Sequence, residues 1–179
     1  AFARRGARVA LLARGRTGLD AAAEDVRRAG GTPLPVPVDV ADAEAVEQAA
    51  DQVEDQLGPI DVWVNVAFTS VFAPFHSISA PEFRRVTEVT YLGYVYGTMT
   101  ALSRMRARGR GTIVNVSSTA GKRPSGSMPD YSVTKAAVLS LSRLVADLYA
   151  ADGITINAVA PGPTATAAWV GEGGLADQQ

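Results

Sequence analysis

Short runs rich in β-branched residues alternate with segments of helical period along the chain, and no other feature constrains the fold as strongly. VALLA (Val9 to Ala13) is followed by LDAAAEDVRRAG, PLPVPVDV from Pro33 by AEAVEQAADQVEDQLG, and VWVNVA from Val62 by PEFRRVTEVTYLGYVYGTMTALSRMRARG. TIVNVSS from Thr112, a helix beginning near Tyr131 and ITINAVAPG from Ile154 complete the series. Strand-helix alternation predicts an α/β fold, a doubly wound parallel sheet with helices on both faces. Val46, Ala49, Val53 and Leu57 form one helical stripe before Gly58-Pro59, and Val138, Leu141, Val145 and Leu148 form another before Gly153. The strands near Val62 to Val66 and Ile113 to Val116 are almost wholly apolar, which predicts that both of their faces are covered. With 179 residues, 47% of them hydrophobic, and no repeat or low-complexity linker, a single domain over residues 1–179 is expected.

Composition removes several function classes. A formal charge of -1 provides no basic field for nucleic acid, and RARGRG, Arg106 to Gly111, is too short to supply one. No cysteine means no disulfide framework and no thiolate metal site, so no metal ligands are assigned. The only histidine, His76, lies in a Pro-flanked loop and reads as a surface residue, which argues against a Ser-His-Asp triad. No apolar run approaches the roughly 18 residues of a membrane helix, and AFARRGARV does not read as a secretory signal. A cytoplasmic protein with no membrane partner is expected.

In an open parallel sheet, ligands sit beyond the carboxyl ends of the strands. Those ends carry Arg14, Asp39, Asn65, Ser117 with Ser118, and Pro161-Gly162. Close by in sequence is PDYSVTKAAV, where Tyr131 and Lys135 are four residues apart and, on a helix, reach one site. Of seventeen basic residues only Lys122 and Lys135 are not arginine. A phenol of pKa about 10 must fall by roughly 3 units, about 4 kcal/mol, to act as a base near neutrality. An ammonium at about 4 Å in an effective dielectric of 20 supplies about that much. Ser118, thirteen positions before Tyr131, places a hydroxyl where it could hold a substrate oxygen beside the phenol.

The assembly NVSS, the thirteen-residue gap, YSVTK and NAVAPGPTAT resembles the short-chain dehydrogenase/reductase family, in the compact branch that includes 3-oxoacyl-acyl-carrier-protein reductases. The resemblance covers nearly the whole chain and implies a Rossmann-like fold. It further implies that Tyr131 exchanges a proton with the substrate oxygen, Ser118 positions that oxygen, and Lys135 lowers the tyrosine pKa and holds the nicotinamide ribose. Asp39 and Val40 resemble the family's pair near the adenine, Asn65 the first residue of its Asn-Asn-Ala-Gly motif, and Pro161, Gly162 and Thr166 its carboxamide-side turn. Ala13 stands where NAD-selective folds carry a carboxylate and Arg14 follows it, which favours NADP, with NAD as the alternative. The implied reaction is hydride transfer between NADP(H) and a ketone or secondary alcohol, a 3-oxoacyl thioester among the substrates, in a homo-oligomer.

The chain also departs from that pattern. Phe68 replaces the motif's glycine and brings a large ring toward the site; Thr90 replaces the asparagine of the long helix, and its hydroxyl can hold a water but offers no amide carbonyl. The family's first strand with its glycine-rich turn precedes anything visible here, and its last strand follows it. The chain is therefore expected to be an internal portion of a longer reductase, with an incomplete sheet, a gap between the strand ending at Ala13 and that containing Asn65, and Trp169 and Val170 beginning the lid. Alone it is expected to be poorly stable and to bind no dinucleotide with useful affinity. The competing class is a catalytically silent relative, a binding or scaffold module or an inactive fragment.

Overall fold

The computed structural model describes residues 1–164. Its elements in chain order are β1 (Arg8–Ala13), α1 (Arg16–Arg28), β2 (Thr32–Pro37), α2 (Ala43–Leu57), β3 (Val62–Asn65), α3 (Ala80–Thr87), α4 (Gly93–Arg108), β4 (Gly111–Val116), α5 (Pro129–Tyr149) and β5 (Ile154–Val159). A single π-turn, Glu88–Leu92, joins α3 to α4. Every ladder is parallel, as expected of the alternation. β1 pairs with β2, and β3-β4-β5 forms a second sheet. Among the described residues β1 makes no ladder with β3, which agrees with the interruption expected at that place.

The helices begin and end where local chemistry directs. Asp42 caps α2 by accepting the Ala45 N–H at 3.0 Å, and Gly58 stops it at a φ of 82°. Ser79 and Glu82 form a capping box ahead of α3. Val46, Ala49 and Val53 of α2 pack on Val36 and Val38, while Ala101, Leu102 and Met105 of α4 pack with Ile113, Val145, Ile154 and Ile156. Ile60 and Trp63 touch both clusters and join the two sheets through shared apolar surface. Arg104 on α4 is bonded to Glu47 at 2.6 Å and to Asp51, which ties α4 to α2.

Two expectations are corrected. Val62 and Val64 are 40% and 42% exposed, because α4 covers only the Trp63 and Asn65 face of β3. Leu148 points outward at 63% exposure, so the buried stripe of α5 runs through Val138 and Val145 and stops there. Gly97 permits α4 to approach β3 closely: a Cβ there would overlap Asn65 Oδ1 and stand 2.8 Å from Trp63 Nε1.

Candidate active site

Pro129 opens α5 at its first helical position, where a missing N–H costs nothing, and fixes the turn that carries Tyr131 and Lys135. The segment after β4 is fastened to this helix. Ser117 N–H donates to Val159 O at 2.7 Å, and Ser117 Oγ donates to the Lys135 carbonyl at 2.8 Å. Gly121 packs so closely on α5 that a Cβ would lie 2.7 Å from that same carbonyl oxygen. Ser118 is thereby held beside Tyr131. Its oxygen accepts the Ala120 N–H at 3.1 Å, and the hydroxyl faces the Tyr131 phenol closely enough to act on its pKa.

The phenol does not have the depressed pKa that the resemblance implies. Burial pushes Tyr131 up, and the neighbouring Ser118 hydroxyl only partly opposes it. The physical reason lies with Lys135, which is 1% exposed. Its Nζ donates to Tyr94 Oη and to Val116 O, both at 2.7 Å, and lies 5.5 Å from the Tyr131 ring centre. Desolvation lowers the lysine to about 7, so near neutrality it carries only part of the positive charge assumed from sequence.

A clamped loop lies across the phenol. Phe68 meets Tyr131 edge-on with ring centres 5.7 Å apart. Thr90 Oγ1 donates to Thr69 O at 2.8 Å and accepts the Thr69 N–H at 3.0 Å. That hydroxyl is bonded twice to the Thr69 backbone, and it sits in the π-turn, a distortion frequent at functional sites. Asp130, wholly buried, accepts the Val71 N–H at 3.0 Å and its neighbour's Tyr131 N–H at 2.7 Å. Sequence reasoning did not find Asp130, although its place immediately before Tyr131 was a usable signal.

The remaining candidates occupy other stretches of the carboxyl edge. Arg14 is exposed at the end of β1. Asp39, past β2, bonds Arg85 at 2.6 Å and the Ala41 N–H at 3.0 Å. Burial works against its charge, but these bonds and the fields of Arg85 and Arg14 prevail and hold it below the usual carboxylate range. Val40 packs against Gly93. Asn65 is turned inward: its amide accepts from Trp63 Nε1 at 2.7 Å and donates to Asn115 Oδ1 at 2.8 Å and Thr98 Oγ1 at 3.2 Å. Those bonds occupy the side chain within the core. Pro161 and Gly162 are exposed, and the Pro161 carbonyl accepts the Thr119 N–H at 2.9 Å, which links this turn to Ser118. Thr166, Trp169 and Val170 lie outside the described residues.

Residues 1–172 match the short chain dehydrogenase family. The chain belongs to that family. Cis-4-hydroxycyclohexanecarboxylate dehydrogenase of Sinomonas cyclohexanicum is 40% identical over 81% of this chain and 59% of its own length. Inactive 2-(S)-hydroxypropyl-CoM dehydrogenase 2 of Xanthobacter autotrophicus is 36% identical over 93% of this chain and 71% of its own. NAD⁺-bound xylitol dehydrogenase superposes with a TM-score of 0.86 at 31% identity, over 89% of this chain and 62% of that one. The chain thus spans 59% of the first relative's length. Short-chain dehydrogenases are nicotinamide-dependent oxidoreductases, and the residues here fit such a group: exposed Arg14, half-buried Asp39 and the open Pro161-Gly162 turn share the carboxyl edge with Ser118 and Tyr131. Among the described residues no helix is long and apolar enough to cross a membrane.

Proposed function

We propose that this short-chain dehydrogenase interconverts a ketone and a secondary alcohol, with Ser118, Tyr131 and Lys135 as its reacting group and NADP(H) as cofactor. The observation that carries the reading is the fastening of the Ser118 turn to α5, which brings a serine hydroxyl against the Tyr131 phenol with a buried lysine behind it. Ser118 Oγ accepts from Ala120, and its own hydrogen, which faces the Tyr131 phenol, is the donor that would turn to a substrate oxygen beside that phenol. Tyr131, raised above its ordinary range, is protonated at neutral pH and serves as the general acid of carbonyl reduction. In the reverse direction the phenolate oxygen takes the alcohol proton. The bound cofactor supplies or receives the hydride.

Arg14 beside Ala13 supports recognition of a 2′-phosphate, and the positive field at Asp39 has the same sense. The Phe68 ring against Tyr131 gives the substrate side an apolar wall, which suits a ketone with a hydrocarbon body; a 3-oxoacyl thioester is the second substrate class. Exposed Met99 on α4 and Leu144 and Leu148 on α5 support homo-oligomer formation through these helices, in a cytoplasmic protein. The silent-module reading draws on the inward turn of Lys135 and predicts no turnover with any carbonyl.

In the full-length protein, Tyr131→Phe should lower ketone reduction by at least about 10²-fold with cofactor affinity little changed. Near-normal reduction by the variant would remove Tyr131 from this role. Absence of reduction by the unmutated protein would support the silent reading.

A further inference from the structure

Lys135 is an ammonium whose environment is supplied from within the protein. Its three N–H donors must be accounted for, because an unmet donor on a buried cation is costly. Two are met: Tyr94 Oη and Val116 O each accept at 2.7 Å. Tyr94 in turn donates its hydroxyl to Val116 O at 2.9 Å, so phenol, ammonium and carbonyl form a closed triangle. The same lysine lies 4.3 Å from the Tyr94 ring centre, which adds a cation–π attraction. Tyr94 is 1% exposed and burial raises its pKa, so it is a neutral donor and acceptor, with no path of its own to solvent.

The helix geometry delivers this phenol deliberately. Tyr94 follows the π-turn by two residues, and the glycines on either side of it, Gly93 and Gly97, seat α4 against Val40 and against Trp63 and Asn65. From there its side chain crosses to the end of β4 and the first turns of α5. The groups facing Lys135 are Tyr94 from α4, the neutral Val116 carbonyl from β4, and Tyr131 from its own helix. Among the described residues no carboxylate forms a salt bridge with Lys135.

We infer that Tyr94 is a positioning residue for the proposed reaction, an internal anchor that with Val116 O takes two N–H groups of Lys135 and leaves the third for the Tyr131 side of the site. This rests on the oxidoreductase reading for its catalytic meaning, but the anchoring itself does not. Lys135 acts on Tyr131 from behind, and the Tyr94 hydroxyl sets both where the ammonium stands and how readily it stays protonated.

The anchor is directly measurable on Lys135, whose side-chain signal is assigned by its loss in Lys135→Met. In full-length protein carrying isotope-labelled lysine, the Tyr94→Phe variant keeps the ring and removes the acceptor. The Lys135 side-chain titration followed by NMR should move down by about one unit, as loss of a charge-assisted hydrogen bond requires. The alkaline limb of kcat should move down with it, and KM for the carbonyl should change less than about twofold. A folded variant with an unshifted Lys135 titration would overturn the inference, since a purely structural tyrosine would change melting temperature alone. Should the variant not fold, the Tyr94 ring resonances of the unmutated protein decide: they should titrate with the Lys135 midpoint, and their independence of it would equally overturn the anchor. If the unmutated protein reduces no carbonyl, the functional reading fails while the titration still judges Tyr94.

Discussion

The sheet β3-β4-β5 and the sheet β1-β2 hold their polar side chains in opposite ways. Around the first, Asn65, Thr90, Asn115, Asp130 and Lys135 are buried and hydrogen-bonded, mostly to residues distant in sequence. At the ends of the second, Arg14 is exposed and Asp39 meets Arg85 with both side chains 37% exposed. Exposed pairs of that kind are worth about 0–1 kcal/mol, whereas breaking a buried polar arrangement costs about 1–3 kcal/mol for each group left unmet. The comparison teaches that the side proposed to react is preorganised by the interior, while the side proposed to choose the cofactor depends on surface charge. Substitutions on the first should alter chemistry and stability together; substitutions on the second should alter preference alone.

The sharpest break in that comparison is Lys135→Met. Turnover should fall by at least about 10²-fold, yet thermal stability at pH 7 should rise, because a buried ammonium is removed and Tyr94 still donates to Val116 O. The pH dependence follows from a folded pKa of about 7 against 10.5 for the free side chain. Between those values the unfolded chain holds a proton that the folded chain has released, so the lysine's penalty grows as pH falls from 10.5 and levels off below about 7. The melting-temperature advantage of the methionine variant should therefore shrink as pH is raised above 7. An unchanged gap would show that Lys135 is not desolvated as described.

Next in size is the internal network. Asn115 accepts from Asn65 at 2.8 Å and donates to Ser142 Oγ at 3.0 Å. Asn115→Ala should cost about 1–3 kcal/mol in urea unfolding, because the Asn65 amide loses a buried partner. The smallest effect belongs to the other sheet. Replacing Ala13 by Asp and Arg14 by Ala should shift the ratio of kcat/KM for NADPH over NADH by about tenfold or more toward NADH, with unfolding changed by no more than about 0.5 kcal/mol. A comparable loss of stability would mean that the two regions are not as different as their burial indicates.

How far the sequence carried depended on separation along the chain. Among the described residues, strand-helix alternation located each strand and long helix because period and stop residues are local properties: Gly58 ends α2 where its apolar stripe ends. Ser118, Tyr131 and Lys135 were legible because one strand end and one helix start bring them together. What was not legible joins distant residues. Thr90 meets Thr69 across 21 positions, Lys135 meets Tyr94 across 41, and Asp130 meets Val71 across 59. Period and composition contain no term for such contacts. The lysine's direction was misjudged for the same reason: a four-residue helical step places it near Tyr131, but the acceptors of α4 and β4 turn its nitrogen inward. Val62 and Val64 misled differently, since an apolar strand reads as covered whichever neighbour is present.

The most direct measurement of the central claim follows a deuterium atom. The full-length protein would be given nicotinamide-deuterated NADPH with 4-oxocyclohexanecarboxylate and, separately, with acetoacetyl-CoA, and the product alcohol examined by mass spectrometry. The account predicts one deuterium at the carbinol carbon from at least one substrate, with Tyr131→Phe reducing labelled product by at least about 10²-fold at equal time and enzyme. Labelled alcohol formed equally by both proteins, or by neither with either substrate, would contradict it.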